Sequence, residues 1–136
     1  MAERPRSGVL DTCTYLDLHE LDPADLPREP ELTAITFAEL HQGVTLARDN
    51  AVRAARMEQL GAALTEFTAL PFDDLAASRY GSLVALTVEA GRSPRPRPRR
   101  LDLQIAAIAS SLDLPLYTRN ADDFKGLESA VTIVPV

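Results

Sequence analysis

Short apolar runs alternate with longer stretches of helical periodicity along the chain. Five runs are short and apolar enough to be buried strands, at residues 8–10, 32–36, 67–72, 114–118 and 131–136. Between them, apolar residues recur every three or four positions. This spacing predicts helices over residues 12–21, 37–49, 50–66, 74–90 and 102–112. Strands alternating with helices in short units indicate a three-layer α/β fold with a parallel sheet covered on both faces.

Turn and cap residues set the expected boundaries. Asp73 can cap the fourth helix and Gly91 can end it, and Pro135 places the last strand at a sheet edge. We expect a polar, frayed start over residues 1–7 and a loop or one broken helical turn over residues 21–31, which carries three prolines. Residues 92–100, RSPRPRPRR, are predicted to be an extended loop because their prolines oppose a helix. The residues expected to face inward on the third and fourth helices are Val52, Ala55, Leu60, Ala63, Leu64, Leu75, Tyr80, Leu83, Val84 and Val88.

Size and composition predict one globular domain spanning residues 1–136. No apolar run is long enough to cross a bilayer, the first residues lack the apolar core of a signal peptide, and Cys13 has no disulfide partner. We therefore expect a cytoplasmic protein without a membrane partner. The net charge of -6 argues against nucleic acid, but five arginines cluster within residues 92–100, as either a phosphate-binding segment or a solvated loop, and Lys125 is the only lysine.

Acidic residues stand where the predicted strands end. Asp11 follows the first strand, Glu39 the second, and Asp122 and Asp123 the fourth, while Asp102 opens the preceding helix. Each has an ordinary explanation, such as a helix cap for Asp11 or the helix dipole for Glu39. Parallel strands nevertheless bring their carboxyl ends to one edge, where clustered carboxylates favour Mg²⁺ or Mn²⁺. Such a site performs metal-assisted phosphodiester hydrolysis. His19 and His41 are isolated and lack zinc-site spacing.

Four segments, taken in order, resemble the motifs of the PIN-domain ribonucleases. They are VLDTCTYLDL, ITFAELHQG, RRLDLQIAAIA and LPLYTRNADDF, and the most similar family is that of the VapC toxins of bacterial VapBC toxin–antitoxin pairs. The resemblance implies a five-stranded parallel sheet flanked by helices and a homodimer. It also implies a Mg²⁺- or Mn²⁺-dependent endoribonuclease that cleaves tRNA or rRNA to arrest translation. A VapB antitoxin would inhibit it by covering the acidic site, in a heterotetramer or larger complex.

The resemblance also assigns roles to residues. Asp11, Glu39 and Asp102 become the catalytic, metal-binding acids, and the last acid falls in TRNADDF. We assign that position to Asp123, with Asp122 as the alternative. Asn120 would orient the site, and the hydroxyls of Thr12 and Thr118 would hold carboxylates or a water. The residues expected to contact RNA phosphates are Arg95, Arg97, Arg99 and Arg100.

Three other functions would also place acids after the strands of an α/β fold. A phosphatase of the haloacid dehalogenase type needs a second aspartate where Cys13 stands, and a response-regulator receiver needs a lysine directly after a late strand, whereas Lys125 comes too late. The third is a PIN-fold module that binds RNA or an antitoxin without effective cleavage. Because all four acids are present, the sequence favours the enzyme.

Overall fold

The centre of the molecule is a four-stranded parallel sheet. The structure is a computed structural model that describes residues 6–136. In chain order the strands are β1 (Ser7–Leu10), β2 (Glu29–Glu31), β3 (Leu116–Thr118) and β4 (Ile133–Pro135). Their spatial order is β2-β1-β3-β4, and each neighbouring pair is parallel. β1 and β3 therefore lie in the middle, and β4, with its Pro135, forms an edge as predicted.

Helices cover both faces of this sheet and complete the three-layer α/β fold. They are α1 (Thr12–Leu16), α2 (Ala34–Thr45), α3 (Asn50–Glu66), α4 (Asp74–Glu89) and α5 (Arg97–Ser111). One hydrophobic cluster joins Val9 and Leu116 of the sheet to α4 and α5. A second cluster joins Leu10 and Tyr117, the next residue on each strand, to α1, α2 and α3. Successive side chains of a strand point to opposite faces, so β1 and β3 divide the core into these two halves.

The prediction of a second strand over residues 32–36 is wrong. Thr33 instead caps α2, its hydroxyl accepting a hydrogen bond from the Thr36 backbone N–H at 3.2 Å. That bond satisfies a donor at the start of the helix and outweighs the preference of these β-branched residues for a strand. The paired strand is β2, inside the segment predicted to be a loop, and the rest of that loop includes a 3₁₀ turn at Pro23–Asp25.

The predicted third strand, residues 67–72, is reduced to a single parallel bridge between Leu70 and Thr33. Leu70 donates its N–H to the Leu32 carbonyl and accepts from the Ala34 N–H. The following residue, Pro71, has no N–H with which to extend the ladder. Within residues 6–136 the sheet thus has four strands, and the prediction of a fifth strand is wrong.

Two predicted irregular segments also need correction. α5 begins at Arg97, inside the segment expected to be a loop, because Pro98 stands in the first helical turn where no N–H is needed. Of the predicted frayed start, residues 1–5 lie outside the described residues. Ser7 already belongs to β1, and Arg6 forms an exposed ion pair with Glu29 at 3.0 Å.

The bounds of α3 and α4 agree with the prediction, but part of their predicted inward faces is wrong. Asp73 caps α4 by accepting from the Ala76 N–H, and Gly91, at φ +77°, follows its end. Ala63 and Leu83 are fully buried. The exposed exceptions are Val52, Ala55, Leu64, Leu75 and Val88. Among the described residues, no helix combines the length and apolarity that crossing a membrane requires.

A substitution at Gly8 tests the packing between β1 and β3. A Cβ atom added there would lie 2.5 Å from Cε1 of the Tyr117 ring and 3.2 Å from Pro27. Gly8→Ala should therefore lower the free energy of unfolding by about 1–3 kcal/mol, as overpacking does. Urea denaturation measures this change.

The matched control is Gly61→Ala on α3, where an added Cβ would meet no atom within 4 Å. It should leave stability unchanged or raise it by up to about 1 kcal/mol, because alanine favours a helix. Equal stability of Gly8→Ala and the wild type would contradict the described contact.

Candidate active site

A cleft at the carboxyl edge of the sheet brings the predicted acids together. Its volume is about 190 Å³, and its lining consists of Asp11, Thr12, Cys13, Glu39, Pro98, Leu101, Asp102, Asn120 and Asp123. These residues come from four separate parts of the chain. Asp11 follows β1, and Asp123 lies in the turn after β3. Glu39 and Asp102 lie in the second turns of α2 and α5, because both helices begin earlier than predicted.

Asp11 is the most tightly held of the four acids. It is 4% exposed, and its two carboxylate oxygens have different partners. Oδ1 accepts from the backbone N–H of Thr14 at 3.0 Å, and Oδ2 accepts from the Thr118 hydroxyl at 2.6 Å. The cap and the cleft position considered from sequence thus occur together. Thr118 in turn accepts a hydrogen bond from the Asn120 N–H at 2.9 Å. The turn after β3 therefore holds Asp11 in place at the end of β1.

Threonine hydroxyls also orient Glu39. Thr12 donates to Glu39 Oε1 at 2.8 Å, and the Thr12 and Thr36 hydroxyl oxygens lie 2.9 Å apart. Since Thr12 has one hydroxyl proton, the bond to Glu39 leaves Thr36 as the donor to Thr12. Burial raises the pKa of Glu39 above its ordinary value. The Thr12 hydrogen bond opposes this shift, the Asp11 charge adds to it, and the Arg97 charge opposes it. This carboxylate therefore lies between a like charge and an opposite charge.

Asp102 is affected most strongly by the shared cleft. Burial raises the pKa of Asp102 to about 7, and the nearby charges of Asp11, Asp123 and Glu39 act in the same direction. The Arg99 guanidinium has a smaller opposing effect. Like charges at short range disfavour one another's ionised form. The pKa of Asp102 thus depends on the other three carboxylates, as expected if the four acids form one site.

The turn after β3 separates the two adjacent aspartates. Within the 3₁₀ turn Ala121–Phe124, the Phe124 ring is buried in the core and Asp123 lines the cleft. Both aspartates are exposed, but Asp122 is absent from the cleft lining. Its backbone carbonyl accepts from Arg92 Nη1 at 2.7 Å. The geometry therefore favours Asp123 over Asp122 as the fourth member of the acidic set.

The predicted RNA-binding arginines surround the start of α5. They are Arg95, Arg97, Arg99 and Arg100, of which only Arg99 is partly buried. Arg97 donates to Gln42 Oε1 of α2 at 2.9 Å, which places its guanidinium on the Glu39 side of the cleft. In the described part of the chain, none of the four forms a salt bridge. Arg97 and Arg99 thus supply positive charge beside the acidic cleft.

Sequence reasoning missed three residues at this site. Cys13 lines the cleft and is exposed, and burial followed by the Asp11 carboxylate raises the pKa of its thiol. Its place directly after Asp11 and Thr12 was a usable signal. Thr36 supports Thr12, and Thr14 accepts from the Arg119 N–H at 3.1 Å. The contacts of Thr14 and Thr36 depend on tertiary structure, and the sequence carried no signal for them.

The donor set fits a hard divalent cation. Four carboxylates and neutral hydroxyl and amide oxygens line the cleft, and Mg²⁺ and Mn²⁺ prefer such oxygen ligands. In residues 6–136, no three acidic, histidine or cysteine side chains are already drawn together tightly enough to enclose an ion.

Comparison with known proteins extends these findings. No protein-family model matches the sequence. The chain is 37% identical over 136 residues to Ribonuclease VapC5 of Mycobacterium tuberculosis, covering 98% of this chain and 96% of that protein. The structure of the present chain matches the crystal structure of VapBC-5, a member of the VapBC family of toxin–antitoxin systems from Mycobacterium tuberculosis. The TM-score is 0.83 at 38% identity, over 97% of this chain and 100% of that one. FitAcB of Neisseria gonorrhoeae matches with a TM-score of 0.69 at 26% identity, over 92% and 94%.

The parallel α/β sheet, the acidic cleft at its carboxyl edge and the match to VapBC-5 place this chain in the class of PIN-domain ribonucleases. The identity to Ribonuclease VapC5 extends over nearly the full length of both proteins. The chain belongs to the VapC family of ribonucleases.

Asp102 gives a pH-dependent test of the cleft. Because its folded-state pKa of about 7 lies above the ordinary aspartate value of 3.8, its contribution favours folding fully below about pH 4 and is lost as the pH rises through 7. With EDTA at pH 8, Asp102→Asn should therefore be more stable than the wild type, by about 1–2 kcal/mol after allowance for solvent screening. The two proteins should converge at pH 4. Denaturant unfolding at both pH values measures this.

Asp122→Asn is the matched control, because Asp122 is exposed outside the cleft. Its stability should follow the wild type at both pH values. A stability difference for Asp102→Asn that is the same at pH 4 and pH 8 would contradict the assignment of the raised pKa.

Proposed function

We propose that this protein is a divalent-metal-dependent endoribonuclease, the toxin of a toxin–antitoxin pair, inhibited by a VapB-type antitoxin. Family membership supports the ribonuclease activity, and the VapBC-5 match supports the antitoxin partner. The observation that carries the metal-dependent mechanism is the cleft itself. Asp11, Glu39, Asp102 and Asp123 line one hollow although they are far apart in sequence.

The four carboxylates would hold Mg²⁺ or Mn²⁺. A bound cation would neutralise charge developing on the phosphodiester and acidify a water that attacks phosphorus. The chain's own contribution is to fix the ligands. Thr14 N–H and the Thr118 hydroxyl hold Asp11 in one orientation, and Thr12 holds one oxygen of Glu39. Such support keeps ligands in place before the substrate arrives.

The arginines at the rim would bring RNA to this cleft. A protein with a net charge of -6 repels a polyanion at long range, so its affinity for phosphate must come from locally exposed cations. Arg97 lies on the Glu39 side and Arg99 acts on Asp102, and Arg95 and Arg100 of the same segment would join them. Contacts to phosphate position a strand without reading its sequence. The proposed substrate class is tRNA or rRNA.

The exposed apolar side chains of α3 and α4 are the proposed dimer surface. Val52, Leu64, Leu75 and Val88 are between 43% and 58% exposed. Apolar groups exposed on each of these helices lose unfavourable contact with water when a second copy covers them. We propose a homodimer, and with antitoxin a heterotetramer or larger assembly in which antitoxin covers the acidic cleft.

Two adjacent residues provide the sharpest test of the catalytic set. Asp123→Asn should lower Mn²⁺-dependent cleavage of total RNA by at least about 10–100-fold, the loss expected when a metal site is disturbed. Asp122→Asn removes the same charge one residue away, outside the cleft, and should retain near wild-type activity. Gel electrophoresis of cleaved RNA, with Mg²⁺, Mn²⁺ or EDTA, measures both.

EDTA should abolish cleavage by the wild type, and Asp11→Asn should be inactive with either metal. Cleavage that persists in EDTA would refute metal dependence. Intact cleavage by Asp123→Asn together with loss in Asp122→Asn would reverse the assignment of the fourth acid. Absence of cleavage by the wild type with both metals would instead favour a module that binds RNA or antitoxin without cutting.

A further inference from the structure

A second hollow adjoins the acidic cleft on the other side of Glu39. Its volume is about 230 Å³, and it shares Thr12 and Glu39 with the cleft. Leu16 and Leu40 contribute apolar surface, and Arg56 of α3 contributes a guanidinium. Glu39 is the only carboxylate that lines it among the described residues. The hollow therefore has one carboxylate and one guanidinium, whereas the neighbouring cleft has four carboxylates.

The spacing of residues on α2 places two guanidiniums around Glu39. Gln42 and Gly43 follow Glu39 by three and four positions, so all three lie on one face of the helix. Arg97 of α5 donates to Gln42 Oε1 at 2.9 Å. Arg56 of α3 donates from Nη1 to the Gly43 carbonyl at 2.7 Å. Helices α3 and α5 thus each contribute one arginine to the helix face that carries Glu39.

Both guanidiniums retain hydrogen-bonding capacity. A guanidinium has five N–H donors, and these contacts use one from each arginine. Neither arginine forms a salt bridge within residues 6–136. Arg56 is exposed, so its remaining donors face solvent along the hollow. An arginine with free donors and no acidic partner is suited to a phosphate oxygen.

We propose that Arg56 is a substrate-positioning residue that, together with Arg97, binds RNA phosphates on either side of the cleavage point. The RNA strand then crosses α2, entering at the start of α5 and leaving along the hollow beside α3. This inference rests on the proposed ribonuclease function and extends it by assigning a path to the substrate. Arg56 lies outside the arginine-rich segment at residues 92–100.

A purely structural role for Arg56 makes a different prediction. The end of a helix has carbonyls without intrahelical donors, and Arg53, one turn earlier on α3, also donates to carbonyls at the end of α2. Its Nε donates to the Val44 carbonyl at 3.4 Å, and its Nη2 donates to the Ala47 carbonyl. Arg53 does not line the hollow. Arg53→Gln is therefore a matched control with the same charge change, the same helix and the same kind of hydrogen bond.

The test is binding of a fluorescein-labelled single-stranded RNA of mixed sequence, measured by fluorescence anisotropy. The background is Asp102→Asn, in which cleavage is slow, with fixed Mg²⁺ and varied KCl. Arg56→Gln should weaken binding by about 3–10-fold and reduce the slope of log Kd against log salt by about 0.7, the value for one lost single-strand phosphate contact. Arg56→Lys should restore most of the slope, because it keeps the charge. In the otherwise wild-type enzyme, Arg56→Gln should raise KM and leave kcat nearly unchanged.

Arg53→Gln should lower the melting temperature at least as much as Arg56→Gln but leave the salt slope unchanged. An unchanged affinity and slope for Arg56→Gln would overturn the inference, as would equal effects of the two substitutions. Such results, beside metal-dependent cleavage by the wild type, would leave the proposed function intact. Conversely, Arg56-dependent RNA binding without cleavage by the wild type would support the inference and refute the proposed activity.

Discussion

Repulsion among carboxylates gathered at one sheet edge is the constraint around which the site is built. Four acids line a cleft of about 190 Å³, where burial and then the charges of Asp11, Asp123 and Glu39 raise the pKa of Asp102 to about 7. A fold gains no stability from such an arrangement unless a cation or a proton relieves it. The surrounding structure must therefore hold the acids together. It does so with the hydrogen bonds of Thr12, Thr14 and Thr118 and with the packing of α5 against α4.

These hydrogen bonds connect the fold directly to the chemistry. The pairing of β1 with β3 sets Leu10 opposite Tyr117, so the next residues, Asp11 and Thr118, meet at the sheet edge. The Thr118 hydroxyl then joins the two strands through Asp11 Oδ2. On the other side, the α2 face that presents Glu39 is fixed by arginines from α3 and α5. Strand register and helix packing thus determine the position of each acid.

The sequence predicted the parallel α/β fold because its strands are apolar and its helices periodic, and the cleft contains all four acids chosen from it. It failed where local hydrogen bonding overrode propensity. Thr33 caps α2 instead of continuing a strand, and Pro98 fits the first turn of α5 instead of preventing it. β2 was missed because its sequence, Glu-Pro-Glu, is polar and pairs along an edge. The contributions of Thr36 and Arg56 depend on packing between helices, which a single sequence does not reveal.

The central claim is that these acids form one divalent-metal site. Anomalous diffraction from crystals soaked in Mn²⁺ tests it most directly, because the signal locates the metal independently of activity. We expect a manganese peak inside the cleft, with carboxylate oxygens of Asp11 and of Asp102 or Asp123 at about 2.0–2.3 Å, the range for hard divalent cations. A cleft without manganese, or manganese bound at the exposed Asp122 instead, would contradict it.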